Sequence, residues 1–255
     1  MALTLHQLRT RAATIILAAT AAALGAGCTQ IETDITQGWD ADRLYEEART
    51  AAEDSDWTRA QDYYTKLESR YPFGRYAQQA QIESAYAYWR DGDAAPCIQT
   101  CDRFLRQYPN HANSDYVLYL KALATLNQRD TVFTLLLTND IYERDSDAAQ
   151  TAFDTFKELI ERFPQSRYAH EARRRMHELV LSQAHHEYNI ARFYYERHAY
   201  VAAIERAQNV VKTFQQTPYS DDALKLIRDS YRELGVTDLQ ADVDRVLELN
   251  QNRQR

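Results

Sequence analysis

The chain is poor in the residues that break helices and in the residue that crosslinks small domains. Its 255 residues include 6 Gly, 5 Pro and 3 Cys. So little Gly and Pro argues against a many-turned β-fold, because turns between short strands rely on those residues. Ala, Leu, Glu, Arg and Gln, all good helix formers, are abundant instead. The composition predicts long helices in a chain large enough to bury a real core.

The three cysteines do not suggest a disulfide-stabilised fold. Cys97 and Cys101 are four residues apart, so both lie on one helical face, on successive turns. Parallel side chains in that arrangement are poorly placed to form a bridge. We therefore expect both to be small, buried core residues.

Positive charge is also scarce after the N-terminal segment. Residues 28–255 hold 28 Lys and Arg against 37 Asp and Glu, a net charge of about −9. Proteins that bind nucleic acid neutralise phosphates with Lys and Arg, so this balance argues against a nucleic-acid partner. It also indicates that attachment to an anionic bilayer comes from a lipid rather than from a basic face.

Motifs that carry catalysis or bind cofactors are missing from the sequence. It has no Gly-rich phosphate loop, no G-x-S-x-G and no H-E-x-x-H. His177 lacks the second His of a zinc motif, and the adjacent His185 and His186 point to different parts of a helix surface. The arginine run 173–175 is interpreted as a solvated helix face, with an acidic partner as the alternative. We predict a chain that is not an enzyme, holds no metal and needs no cofactor.

The N-terminal segment has the pattern of a secretory signal. Arg9 and Arg11 precede a 13-residue apolar stretch at 12–24, and small residues follow it. A membrane-spanning helix needs about 20 apolar residues, so this stretch is too short for one. We assign 1–27 as the signal peptide and 28–40, which lacks helical periodicity, as a tether.

The end of the signal resembles the lipobox of bacterial lipoproteins, in which an acylated Cys follows small residues. Residues 24–28 read Leu-Gly-Ala-Gly-Cys. The resemblance implies a lipid on Cys28, and Thr29 in place of Asp implies the periplasmic face of the outer membrane. Gly25 stands where that family usually has Leu. Cleavage by an ordinary signal peptidase, which would leave Cys28 as a plain thiol, is the alternative.

A helical pattern repeats from residue 41 onward. Four apolar helices stop at an aromatic residue, and in three of them Pro follows, which cannot continue a helix. These stops are Tyr71, Tyr108, Phe163 and Phe214. A small residue lies eleven positions before each stop: Ala60, Cys97, Ala152 and Ala203. The pattern resembles the second helix of a tetratricopeptide repeat, and it predicts an all-α fold, a right-handed α-solenoid of about five such repeats.

The spacing of the stops is uneven. Successive stops are 37, 55 and 51 residues apart, whereas the basic unit has about 34 residues. We assign an insertion to residues 125–147 of the third unit, and we expect a fifth helix pair, hinged at Gly235, to be a polar-faced cap. The mature chain then divides into 41–115, with repeats 1 and 2, and 116–255, with repeats 3 to 5.

Several stretches resemble one family of tetratricopeptide lipoproteins. The most telling are Arg-Tyr-Pro-Phe-Gly at 70–74, Gln-Gln-Ala-Gln at 78–81 and Asp-Tyr-Val-Leu-Tyr at 115–119. They are similar to the BamD family, a subunit of the outer-membrane β-barrel assembly machine. The resemblance covers nearly the whole mature chain. It implies five repeats, no enzymatic activity and a role in inserting outer-membrane proteins.

The same resemblance implies two binding surfaces. The N-terminal repeats would hold the C-terminal strand signal of unfolded outer-membrane proteins. The expected groove residues are Tyr71, Phe73, Arg75 and Tyr86. The C-terminal half would dock on the periplasmic domain of the central barrel subunit and contact another assembly lipoprotein. The expected docking residues are Arg206, which falls on the docking arginine of the family, Arg197 and Tyr200.

Two alternative interpretations explain part of the pattern. A tetratricopeptide lipoprotein of pilus or secretin assembly would usually keep a regular repeat period, which the spacings of 55 and 51 residues contradict. An α-solenoid lytic transglycosylase would need an added catalytic domain with an essential Glu, and we expect no such domain after residue 250.

Overall fold

The computed structural model describes residues 34–127 and 141–253, and these residues form ten α-helices and no β-strand. The predicted signal peptide, Cys28 and most of the predicted insertion lie outside the described residues. The helices are α1 (Ala41–Glu53), α2 (Trp57–Arg70), α3 (Ala77–Asp91), α4 (Ala94–Gln107), α5 (Ser114–Asn127), α6 (Ile141–Arg162), α7 (Ala169–Glu196), α8 (Tyr200–Thr213), α9 (Pro218–Glu233) and α10 (Thr237–Arg253). In these two ranges, none of the helices has the length and apolar character needed to cross a membrane.

The chain divides into two units, Met1–Trp39 and Asp40–Arg255. The described part of the first unit, residues 34–39, forms turns held by backbone hydrogen bonds. This part belongs to the predicted tether at 28–40. All ten helices belong to the second unit.

Each helix of the second unit packs on the next one along the chain. The described residues therefore form five helix pairs: α1–α2, α3–α4, α5–α6, α7–α8 and α9–α10. First helices of neighbouring pairs also touch, since α3 packs on α5 and α7 packs on α9. In a repeat fold of this kind each unit contacts only its neighbours. The predicted all-α repeat fold of about five helix pairs is confirmed.

The small residues that precede each helix stop are fully buried. They are Ala60, Cys97, Ala152 and Ala203. Because small side chains add little bulk, the two helices of a repeat can pack closely at these points. Cys97 and Cys101 are buried free thiols, which confirms the core assignment. A hydrogen bond with Cys97, together with burial, raises the pKa of the Cys101 thiol.

All four helix stops lead into the same backbone turn. In the first, the N–H of Gly74 donates to the carbonyl of Tyr71 at 3.0 Å, and the N–H of Ala77 donates to the carbonyl of Gly74 at 3.0 Å. The same two hydrogen bonds follow Tyr108, Phe163 and Phe214. This shared turn puts equivalent residues of the repeats at equivalent places at the start of each following helix.

The last helix does not have the polar outer face that we expected. The buried side of α10 holds Leu247 and the partly buried Val243. Leu239, Val246 and Leu249 are exposed, the last of them by 63%. Their spacing along the helix places them in one stripe. The prediction of a polar-faced cap is wrong at these positions, because the overall polarity of α10 conceals an apolar stripe beside its buried face.

Candidate peptide-binding and partner-docking sites

Three tyrosines and an arginine form a cluster where repeats 1 and 2 meet. Tyr45 on α1 stacks on Tyr76, the residue before α3, with ring centroids 4.4 Å apart and planes inclined by 9°. The guanidinium of Arg75 lies 4.6 Å from the centroid of the Tyr76 ring and pairs with Asp42. The hydroxyl of Tyr76 and the guanidinium of Arg75 lower the pKa of Asp42. With Tyr64, these residues form what we call the first aromatic cluster: Tyr45, Tyr64, Tyr76 and Arg75.

The carboxylate of Glu83 on α3 fixes the orientation of this cluster. It accepts hydrogen bonds from the hydroxyl of Tyr45 at 2.9 Å, the hydroxyl of Tyr64 at 2.5 Å and the side-chain amide of Gln79 at 2.7 Å. Burial, followed by the interaction with Glu83, raises the pKa of both tyrosines. The two hydroxyls therefore remain donors to Glu83, and the Tyr45 ring is held against Tyr76.

Three of the four predicted groove residues lie in the turn between α2 and α3. Tyr71 is half-buried at the end of α2, Arg75 is exposed, and the side chain of Phe73 is 100% exposed. A Cβ on Gly74 would lie 3.2 Å from the carbonyl oxygen of Tyr71, so glycine allows the turn to close tightly. The turn holds Phe73 out into solvent beside the first aromatic cluster.

The fourth predicted groove residue, Tyr86, lies elsewhere. Its ring meets the edge of Trp57 at 6.0 Å, and its hydroxyl accepts a hydrogen bond from Arg90 at 2.7 Å. The Arg90 guanidinium also lies 4.6 Å from the centroid of the Trp57 ring. Trp57 begins α2 whereas the turn follows the end of α2, so the structure does not bring Tyr86 to Phe73. Its role in a groove stays a prediction.

Sequence reasoning missed Tyr45 and Glu83, which complete the first aromatic cluster. Both lie on first helices, and neither belongs to a recognised motif. The available signal was the Arg-Tyr-Ala triplet at 75–77, which occurs again at 167–169. A repeated triplet at a helix start indicates a repeated local contact, and Tyr45 supplies that contact here.

Two predicted docking residues lie at the turn between α7 and α8. Arg197 caps α7, with its guanidinium 3.5 Å from the centroid of the half-exposed Phe193 ring. Tyr200 begins α8, its hydroxyl 2.8 Å from Nδ1 of His198 and its ring edge-on to Tyr195 at 5.5 Å. The backbone of His198 has φ +60°, a conformation that residues other than glycine adopt uncommonly. The turn therefore carries aromatic and arginine side chains in a fixed arrangement.

The third docking residue, Arg206, lies on a different face of α8. It follows Tyr200 by six residues, about 240° around the helix. It is exposed on α8, whose buried side includes Ala203 and Ala207. It forms no hydrogen bond or ion pair with any residue in 34–127 or 141–253. Its charge is therefore available to a partner.

The remaining charged candidates on α7 have ordinary structural partners. Arg174 pairs with Glu171 and, at 2.5 Å, with Glu178, while Arg175 pairs with Glu171 at 2.9 Å. This agrees with the interpretation of the arginine run as a solvated helix face. His185 lies 3.0 Å from the side-chain amide of Asn189. Within the described residues, no group of three or more His, Cys, Asp or Glu side chains is placed to hold a metal ion.

Comparison with known proteins decides the family. The family YfiO, described as an outer membrane lipoprotein, matches residues 38–247 of the chain. The chain belongs to this family. A relative from Neisseria meningitidis serogroup B, outer membrane protein assembly factor BamD, is 40% identical over 88% of the chain and 84% of its own length. The BamD of Vibrio cholerae is 35% identical over 88% of the chain and 92% of its own length. The resemblance to the BamD family found in the sequence is confirmed.

Among solved structures, the chain is similar to the human IFIT1 dimer bound to m7Gppp-AAAA. The TM-score is 0.42 at 13% identity, with 83% of the chain and 55% of that protein covered. The chain spans about half the length of that protein.

Proposed function

We propose that the chain is a lipid-anchored adaptor that brings unfolded outer-membrane proteins to the central barrel subunit of the assembly complex. Family membership supports the general role: the chain is an outer membrane protein assembly factor, a non-enzymatic scaffold that works with other subunits at the outer membrane. The lipobox-like residues 24–28 support a lipid on Cys28. Thr29 supports anchoring of the chain at the periplasmic face of the outer membrane. The lipid would keep the helical repeats next to the membrane that receives the barrel.

The turn at residues 71–75 is our candidate for binding the C-terminal strand signal of substrates. The observation that carries this proposal is the exposed ring of Phe73, held by a closed turn beside a stacked Tyr pair and an arginine. Aromatic and arginine side chains dominate the energetics of protein interfaces. Tyr45 and Tyr76 lose little conformational entropy on binding, since the two rings stack on each other and Glu83 holds the hydroxyl of Tyr45.

The C-terminal repeats are our candidate for docking on the central subunit. Arg206 offers an exposed cation that has no partner within the described residues. The exposed stripe of Leu239, Val246 and Leu249 on α10 adds apolar area that is unfavourable while it faces solvent. An unpaired arginine and an apolar stripe, both in the C-terminal repeats, suit a protein partner with an acidic group and an apolar patch.

Co-purification of the assembly complex from solubilised outer membranes tests this docking surface. We expect Arg206→Glu to lower recovery of the central barrel subunit at least about tenfold, because reversing a charge in an interface places two like charges together. The helical circular dichroism spectrum should not change, since Arg206 forms no contact that the helix needs.

Arg106→Glu is the matched control. Arg106 is also an exposed arginine on the second helix of a repeat, without an ion pair in the described residues. We expect this variant to recover the central subunit at the wild-type level. Full recovery with Arg206→Glu would contradict the docking assignment, and equal losses in both variants would show that net charge rather than a specific surface controls assembly.

A further inference from the structure

The first aromatic cluster has a close counterpart where repeats 3 and 4 meet. Tyr119 on α5 stacks on Tyr168, the residue before α7, with centroids 4.8 Å apart and planes inclined by 18°. The Arg167 guanidinium lies 4.8 Å from the centroid of the Tyr168 ring. The corresponding distances in the first cluster are 4.4 and 4.6 Å. With Phe156 added, we call this group the second aromatic cluster: Tyr119, Phe156, Tyr168 and Arg167.

The match extends to the third ring of each cluster. Phe156 lies 6.2 Å from Tyr119 at 51°, as Tyr64 lies 6.3 Å from Tyr45 at 59°. Phe156 and Tyr64 each lie seven residues before the stop of their helix. Because the turns after those stops share the same hydrogen bonds, the repeat frame sets the positions of the rings in both clusters.

The other two repeat junctions lack this combination. Between repeats 2 and 3 the matching positions hold Ile82 and Asn113 in place of the two stacked rings. Between repeats 4 and 5, Tyr188 and Tyr219 meet at 6.0 Å, but Pro218 occupies the arginine position. Ring packing alone explains an aromatic pair at a junction. It does not explain an exposed arginine over the ring, which occurs at two of these four junctions.

The charges around the two clusters are opposite. Asp42 lies three residues before Tyr45, whereas the residue three before Tyr119 is Tyr116, whose ring lies 5.5 Å from Tyr168. Glu83 lies seven residues after Tyr76, and an arginine takes the corresponding position after Tyr168. The four matched charge positions are Asp42, Arg75, Gln79 and Glu83 in the first cluster, and Tyr116, Arg167, Glu171 and Arg175 in the second. The first set has net charge −1 and the second +1.

Arg167 has no carboxylate partner in the described part of the chain. It donates a hydrogen bond to the hydroxyl of Tyr168 at 2.5 Å and is otherwise exposed. The carboxylate of Glu171 is shared by Arg174 and Arg175. Hydrogen bonds from these two arginines, with the larger effect from Arg174, lower the pKa of Glu171. Arg75, in contrast, is paired with Asp42. Of the two clusters, only the second therefore offers an incoming carboxylate a guanidinium that is not already paired with a carboxylate of the described residues.

We propose that the second aromatic cluster is a second peptide-binding site, for an extended segment in which an aromatic residue and an Asp or Glu lie two positions apart. Residues two apart in a strand point to the same side, so the ring can pack on the pair of Tyr119 and Tyr168 while the carboxylate meets Arg167. Arginine binds a carboxylate through two parallel hydrogen bonds. The inference rests on the proposed function, in which the chain holds unfolded substrate strands, and it adds a site that selects acidic segments.

Fluorescence anisotropy with the mature chain in detergent micelles tests the second site. Two labelled peptides, both amidated at the C-terminus, differ only in carrying Tyr-x-Glu or Tyr-x-Gln in an otherwise neutral strand sequence. We expect the Glu peptide to bind wild type about tenfold more tightly, as a charge-assisted pair would give. In Arg167→Gln the preference should fall below about twofold.

Arg106→Gln is the matched control and should keep the tenfold preference, since Arg106 is an exposed arginine on α4 that belongs to neither cluster. A full preference in Arg167→Gln, or no preference in wild type, would overturn the second site. A third peptide, an aromatic-ended strand with a free C-terminus, separates this result from the proposed function. When either of those results overturns the second site, the proposed function still stands if the third peptide binds wild type and binds Phe73→Ala more weakly. If it does not bind wild type, substrate binding itself fails.

Discussion

The first and second aromatic clusters have the same ring geometry and opposite charge. In each cluster, a tyrosine on the first helix of one repeat stacks on the tyrosine that precedes the first helix of the next repeat. The guanidinium of an arginine lies over the ring of that second tyrosine. The first cluster surrounds those rings with Asp42 and Glu83, and the second with Tyr116 and Arg175. The repeat frame therefore fixes where the rings lie. The partly exposed positions around the rings are free to differ, and they determine which ligand chemistry each cluster can accept.

The differences between the clusters are physically linked. Tyr64 and Phe156 are equivalent and both are almost fully buried. Tyr64 has a hydroxyl where Glu83 can accept its hydrogen bond. Phe156 has no hydroxyl, so the position that matches Glu83 needs no acceptor there and holds Arg175. A buried hydroxyl without a partner is costly, so Glu83 supports the Tyr64 ring in a way that Phe156 does not require.

The largest expected effect comes from removing the buried ring that occupies the same position in each cluster, Tyr64 in the first and Phe156 in the second. Phe156→Ala and Tyr64→Ala should each lower the free energy of unfolding by about 3–5 kcal/mol, because each leaves a cavity between two repeats. Urea unfolding followed by circular dichroism measures this. Phe73→Ala, which removes a fully exposed ring, should unfold at the wild-type urea concentration. A loss below about 1 kcal/mol for Phe156→Ala would mean that the second junction is not packed like the first.

Much of the fold follows from the sequence because helix stops and small crossing residues are local signals. Pro after Tyr71, Tyr108 and Phe163 ends three helices, and buried small residues mark the crossings. The partners of half-exposed side chains depend on how two helices are rotated against each other. Tyr45 and Glu83 were missed for that reason.

The grouping of site residues is less accessible to sequence reasoning. Tyr86 was grouped with Phe73 because both lie in the first two repeats, yet they lie at different ends of a helix pair. The apolar stripe on α10 was missed because composition averages over all faces of a helix. Sequence reasoning located these residues along their helices, but it did not determine toward which side of the helix each side chain points.

A smaller effect separates the charged residues that differ between the clusters. Glu83→Ala should lower the free energy of unfolding by about 1–3 kcal/mol, because it leaves the buried hydroxyl of Tyr64 without an acceptor. Arg175→Ala should cost under about 1 kcal/mol, since it removes only a partly exposed pair with Glu171. The same urea titration compares them. Equal losses would contradict the view that only the first cluster uses its charged residue as an internal support.

The smallest expected effect on stability, and the sharpest comparison of ligand preference, comes from Asp42→Asn. Asp42 and Arg75 are 61% and 70% exposed, so losing their pair should leave the urea midpoint unchanged. The substitution frees Arg75 and gives the first cluster the feature that distinguishes the second. Placed on Arg167→Gln to silence the second cluster, Asp42→Asn should raise affinity for the Tyr-x-Glu peptide about threefold over the Tyr-x-Gln peptide. If the preference does not return, Glu83 still repels the acidic segment. The negative charge of Glu83 then matters more for ligand preference than the freed guanidinium of Arg75.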